Sequence, residues 1–192
     1  RNIRRLEDKQ AAAAVGQIDL VNSWQKSLNK YKIKSAQLLL TLNDSEIRRN
    51  YLNVRKTISS LHKNNFIPIV NENDTVATEE IRFGDNDRLA ARVAQMIDAD
   101  LLIMLSDVDG LYTESPLHNK NAEKITNINI IDSKIEKMAT NQHSKLGSGG
   151  MITKIWAAKI CMNSGCTTII ANGKKLNPLK NIDTKNSTWF NA

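Results

Sequence analysis

Long apolar runs are missing from this chain. The longest, LLIML at 101–105, has the length of a buried strand and falls far short of the roughly 20 residues that span a bilayer. No signal-peptide pattern opens the sequence, so a soluble, cytoplasmic protein without a membrane partner is expected. Cysteine is scarce: only Cys161 and Cys166 occur, with no second Cys or His pair at zinc spacing. His62, His118 and His143 stand apart in polar surroundings, so no metal held by protein thiolates is expected and no metal ligand is assigned. Aromatic residues are 5%, too few for an obvious base-stacking platform. The formal net charge is +7, yet the cations are scattered over amphipathic segments. That scatter argues against a nucleic-acid interface, whereas an anionic small-molecule substrate fits the positive charge.

What is present is an alternation of helix and strand signals in 192 residues, enough for one domain of ordinary size. Ile18, Val21, Trp24, Leu28 and Tyr31 follow helical spacing, and AQLLLTL at 36–42 reads as a short apolar strand. A helix from Asp44, a candidate N-cap, carries Ile47, Tyr51, Val54, Ile58 and Leu61, and FIPIV at 66–70 is the next strand. A further helix carries Leu89, Val93 and Ile97, followed by the strand LLIML. Helices around Ile131, Ile135 and Met138 and then Ile155, Ala158 and Met162 precede the strand TTIIA at 167–171. Short, uniformly apolar strands between helices predict an α/β fold, a three-layer α/β/α sandwich with a mostly parallel sheet covered on both faces. Residues 1–173 are expected to form this domain, and 174–192 a peripheral tail.

In an open parallel sheet, ligands bind at the carboxyl ends of the strands. Four polar segments fall at that edge. NENDTVA (71–77) offers amide donors and carboxylates directly after a strand, a mixture suited to an amino-acid substrate. GDND (84–87) opens a helix with Asp85, Asn86 and Asp87, where a single residue would suffice as a cap. SDVDG (106–110) supplies Ser106 and Asp107 for hydrogen bonds to a nucleotide, while Asp109-Gly110 is an ordinary turn signal. GSGGMITK (147–154) places Gly147, Gly149 and Gly150 at a helix N-terminus and Lys154 one turn into that helix. Such a loop presents backbone N–H groups to a phosphate, although its spacing is not that of a Walker A motif.

The segments NENDTVATEEIRFGDNDRLAARVA, LLIMLSDVDGLYTESP and GSGGMITKIWAAKI resemble the glutamate 5-kinase family of the amino acid kinase superfamily. KQAAAAVGQIDLV and RRNYLNVRKT are similar to the same family, and the resemblance runs to about Asn172. It implies transfer of the ATP γ-phosphoryl to the side-chain carboxylate of L-glutamate, giving L-glutamyl 5-phosphate at the first step of proline biosynthesis. Carried over by position, Asp74 and Asn86 would hold glutamate, and Ser106 and Asp107 would contact the nucleotide. Ser148, Gly149, Gly150, Met151, Ile152, Thr153 and Lys154 would wrap the phosphates of ATP, with Lys154 the catalytic cation. Asp87 would organise the catalytic lysines, leaving Asp85 as the cap. The resemblance also implies Mg2+ carried mainly on the ATP phosphates, homo-oligomers, and feedback inhibition by proline.

The sequence departs from the family pattern in several places. The family's opening strand, its lysine-bearing phosphate loop and its second glycine-rich segment do not occur, so the fold is expected to be incomplete at its amino-terminal side. No C-terminal PUA domain occurs either. SGG stands where TGG is usual, and DRLAARVA where DNLSALVA is usual. The alternatives are an inactive or truncated relative, another superfamily member acting on acetylglutamate or UMP, and, from charge alone, a basic nucleic-acid-binding domain.

Overall fold

The computed structural model describes residues 5–76, 85–116, 119–140, 150–183 and 185–192. The chain divides into two compact units, residues 1–89 and 90–192.

The first unit opens with α1 (Leu6–Asn29), which has Glu7 and Asp8 in its first turn and Lys26 in its last, charges that suit the two ends of the helix dipole. No residue of α1 is buried within its surroundings. Two parallel strands follow, β1 (Lys34–Leu40) and β2 (Phe66–Glu72), paired from Lys34↔Phe66 to Leu40↔Glu72. They are joined by α2 (Leu42–Glu46) and α3 (Arg48–Lys63). Parallel strands need such a crossover, and α3 packs on β2 through an apolar face on which Ile58 is fully buried. Asp44, expected as an N-cap, lies instead at the third position of α2, and Thr41 is the cap. The Asp44 carboxylate accepts the Thr41 backbone N–H at 2.8 Å and the Thr41 hydroxyl at 2.8 Å, closing a capping box. The helix signal at Asp44 is thereby spent on one short turn, and α3 starts afresh after Ile47.

α4 (Asp85–Met96) spans the boundary between the units and buries Leu89, Ala91, Ala94 and Met96, with Val93 and Ile97 half-buried. In the second unit β3 (Leu101–Ser106) is followed by the short strands β4 (Leu111–Tyr112), β5 (Lys124–Ile125) and β6 (Asn127–Ile128). Then come α5 (Ser133–Thr140), α6 (Met151–Met162), β7 (Thr167–Asn172), a 3₁₀ turn at Pro178–Asn181 and β8 (Ser187–Phe190). α5 starts where the Asp132 carboxylate accepts the backbone N–H groups of Lys134 and Ile135. Gly165, at φ +78°, turns the chain from α6 into β7.

The main sheet has the order β3-β7-β8-β6, with β3–β7 and β6–β8 parallel and β7–β8 antiparallel; β4 and β5 form a separate antiparallel pair. Ala157, Ala158, Cys161, Ile170 and Phe190 sit in one buried cluster, where small residues of α6 allow close approach to the sheet. The expected α/β class with mostly parallel pairing holds. The expected peripheral character of 174–192 does not hold for residues 187–190. β8 lies inside the sheet with Phe190, Ser187 and Thr188 fully buried. Its polar residues can be buried because the Thr188 hydroxyl accepts the Leu111 N–H and donates to the Ile125 carbonyl, while the Ser187 hydroxyl donates to the Asp183 carbonyl.

Candidate active site

The glutamate-side candidates all fall in the 1–89 unit. β1 and β2 run parallel, so Leu40 and Glu72 end at one edge, and the Asn73 backbone N–H donates to the Leu40 carbonyl there at 2.8 Å. Beyond it Asn73 forms a tight polar turn, accepting the Thr75 hydroxyl at 2.6 Å and the Val76 N–H at 3.1 Å. That turn lifts Asp74 into an exposed position. Asn71, which lies within β2 rather than opening the loop, donates its side-chain amide to Gln17 of α1 at 2.8 Å. Its carbonyl oxygen lies 3.5 Å from the Asn86 amide, a marginal bond that brings the first turn of α4 to the end of β2. Asn86 is exposed and Asp87 half-buried, and Arg88 donates to Glu46 at 2.9 Å. The side chain of Asp85 lies outside the described residues, as does Gly84.

The nucleotide-side candidates fall in the 90–192 unit. Ser106 pairs with Asn172 in the parallel register, so β3 and β7 end together, and the Gly173 N–H donates to the Ser106 carbonyl at 2.7 Å. Asp107 is exposed, and the Ser106 hydroxyl leans on its carboxylate at 3.3 Å. α6 feeds β7 through a short turn, so its N-terminus lies toward this same carboxyl edge. Gly150 is its cap residue and makes no side-chain cap hydrogen bond. Thr153 is buried and its hydroxyl donates back to the Gly150 carbonyl at 2.8 Å. Met151 is buried, while Ile152 and Lys154 are half-buried. Ser148 and Gly149, with Gly147, lie outside the described residues.

Three residues without an assigned role turn out to be closely tied to this edge. Asp109 accepts the Lys124 ammonium at 2.5 Å and the Tyr112 hydroxyl at 2.9 Å. Burial alone would raise the Asp109 pKa, but the bonds from Lys124 and Tyr112 outweigh it and hold the carboxyl below its ordinary value. Burial, reinforced by the same carboxylate, pushes the Tyr112 phenol up to about 12. The Asp-Gly pair reads locally as a turn; its partner Lys124 lies 15 residues on, where only the fold can place it.

The amino acid kinase family profile matches residues 2–172. The chain belongs to that family. It is 54% identical over 187 residues to the glutamate 5-kinase of Paramagnetospirillum magneticum, covering 97% of this chain and 50% of that protein. It is 57% identical to the glutamate 5-kinase of Agrobacterium fabrum, covering 97% and 48%. The chain thus spans about half the length of these relatives. Among solved structures, UMP kinase from Ureaplasma parvum is similar with a TM-score of 0.57 at 19% identity, covering 88% of this chain and 65% of that one, a likeness of fold. No helix among the described residues is long and apolar enough to cross a membrane.

Proposed function

We propose that this amino acid kinase chain carries part of a glutamate 5-kinase, phosphorylating the side-chain carboxylate of L-glutamate with ATP at the first step of proline biosynthesis in the cytoplasm. The observation that carries this reading is identity above 50% to glutamate 5-kinases across 97% of the chain, spanning every candidate segment.

Asp74 and Asn86 hold glutamate in this reading. A free amino acid presents an ammonium, which a carboxylate suits, and carboxylates, which an amide donor suits. Asn71 braces Asn86 from the end of β2. Ser106 and Asp107 contact the nucleotide, and the segment Ser148, Gly149, Gly150, Met151, Ile152, Thr153 and Lys154 wraps its phosphates. Glutamate needs no general base, because a side chain with a pKa of about 4.3 is already an ionised nucleophile at neutral pH. The barrier is the approach of two anions. Lys154 and the backbone N–H groups at the start of α6 offset that repulsion, and Asp87 orients the lysine charge.

Mg2+ is placed on the ATP phosphates. In this reading phosphate oxygens supply its chief ligands, and no step is assigned to it here. Self-association and feedback by proline accompany the same reading.

The test is to incubate the purified chain with ATP, magnesium, L-glutamate and hydroxylamine and to measure glutamyl hydroxamate. Product above a Lys154→Ala control supports a working kinase within these residues. A folded chain that binds no ATP overturns the reading.

A further inference from the structure

The connection 107–110 between β3 and β4 carries the nucleotide candidate Asp107, and it is fixed at more points than a turn requires. At its start, the Ser106 carbonyl is held by the Gly173 N–H at 2.7 Å. At its end, Gly110 at φ +151° lies against Thr188, where a Cβ would collide with the hydroxyl, and the Leu111 N–H donates to that hydroxyl at 2.8 Å. Between these points Val108 packs on the apolar core. Asp109 turns inward to the Lys124 ammonium and the Tyr112 hydroxyl. Lys124 donates a second bond to the Lys185 carbonyl at 3.0 Å and lies 5.7 Å from the centre of the Tyr112 ring. Of the four residues in the connection, only Asp107 is exposed.

An ion pair at a protein surface contributes little, because solvent screens it and two long side chains must be ordered. The Asp109–Lys124 pair differs: its side chains are 27% and 15% exposed, against 36% to 79% for the other described pairs. A local Asp-Gly turn closes without any partner 15 residues away. We infer that Asp109 and Lys124 are positioning residues for nucleotide binding: their ion pair holds the 107–110 backbone so that Ser106 and Asp107 stand ready for a nucleoside triphosphate. The inference rests on the nucleotide role proposed above for Ser106 and Asp107. Without Lys124, the Asp109 carboxylate has no counter-charge in its partly buried place, so it turns toward water and takes the connection with it. ATP must then order the loop as it binds, and affinity falls.

The experiment is calorimetric titration of ATP into the whole chain, unaltered and as Lys124→Met and Lys124→Arg, well below each variant's unfolding midpoint. Lys124→Met is expected to bind ATP about tenfold more weakly, because part of the binding free energy is spent on ordering the loop. Lys124→Arg, which keeps the charge, is expected to recover most of that loss. A purely structural role would lower the midpoint of both variants without changing the dissociation constant of the folded fraction. Unchanged binding by folded Lys124→Met, or an equal loss in Lys124→Arg, overturns the inference alone. No ATP binding by the unaltered chain overturns the proposed function and this inference with it.

Discussion

Thr188 and Leu111 stand 77 positions apart in sequence and are joined by a 2.8 Å bond in which the Leu111 backbone N–H donates to the Thr188 hydroxyl. Because both residues are fully buried, no water replaces either partner. The same hydroxyl donates to the Ile125 carbonyl, so one side chain serves β4, β5 and β8 together.

Thr188→Val keeps the shape and removes the hydroxyl. It leaves the buried Leu111 N–H unpaired, at a cost of about 1–3 kcal/mol, and removes a donor from the part-buried Ile125 carbonyl. Urea unfolding of the variant should show a midpoint well below that of the unaltered chain. An unchanged midpoint would mean that the sheet rearranges to satisfy both groups.

Asp44 should contribute to an acid limb of stability. Burial opposes its ionisation, but the Thr41 N–H, the Thr41 hydroxyl and the Asn50 amide outweigh that and keep its pKa below the ordinary 3.8. A depressed folded value means that the contribution is complete above the unfolded value and is lost as pH falls through the folded one. Asp44→Asn should therefore be less stable than the unaltered chain at neutral pH, with the gap closing below about pH 4. A gap independent of pH would assign the loss to geometry rather than charge.

The two cysteines should be silent toward thiol reagents while the chain is folded. Both are free and fully buried, and burial pushes the Cys161 thiol up to about 12 from an ordinary 9.0. The unfolded chain releases this proton at lower pH than the folded one, so stability should fall as pH rises between those two values. Labelling with a chromogenic disulfide should be slow in buffer and complete in denaturant. Rapid labelling of the native chain would contradict the burial.

Within the proposed kinase, Asp87→Asn should lower kcat far more than it weakens glutamate binding, because the residue orients charge rather than substrate. Lys154→Ala should lose roughly 10²-fold or more in kcat, as when one preorganised electrostatic group is removed. Steady-state hydroxamate assays read both, and a normal turnover in either variant assigns that role elsewhere.

The parts of the fold that were legible in the sequence are those governed by local periodicity. The strands around Leu38, Ile69, Ile103 and Ile169 are short apolar runs, and α3, α4 and α5 carry apolar stripes, while α6 is apolar on most of its faces. Asp44 was misread because an aspartate at the third helical position looks, in sequence, like one at the cap; only the pairing with Thr41 separates them. β8 was hidden for a different reason. Its Ser187 and Thr188 look solvated, and their burial depends on acceptors and donors at Asp183, Leu111 and Ile125. At the site, the loop chemistry of Asn86, Ser106 and Asp107 shows in composition. The bracing by Gln17, Asn71 and Lys124 does not, since each acts across a distance in sequence that no local pattern spans.

The place of β8 also bears on how the chain can be made. Synthesis proceeds from the amino terminus, so β3 and then β7 emerge before the strand that pairs with β7 and with β6. Until Phe190 has left the ribosome, β7 offers an unfilled edge and the apolar cluster lacks one of its rings. A nascent chain in that state exposes sticky backbone and hydrocarbon. The arrival of four residues, Ser187–Phe190, covers that edge.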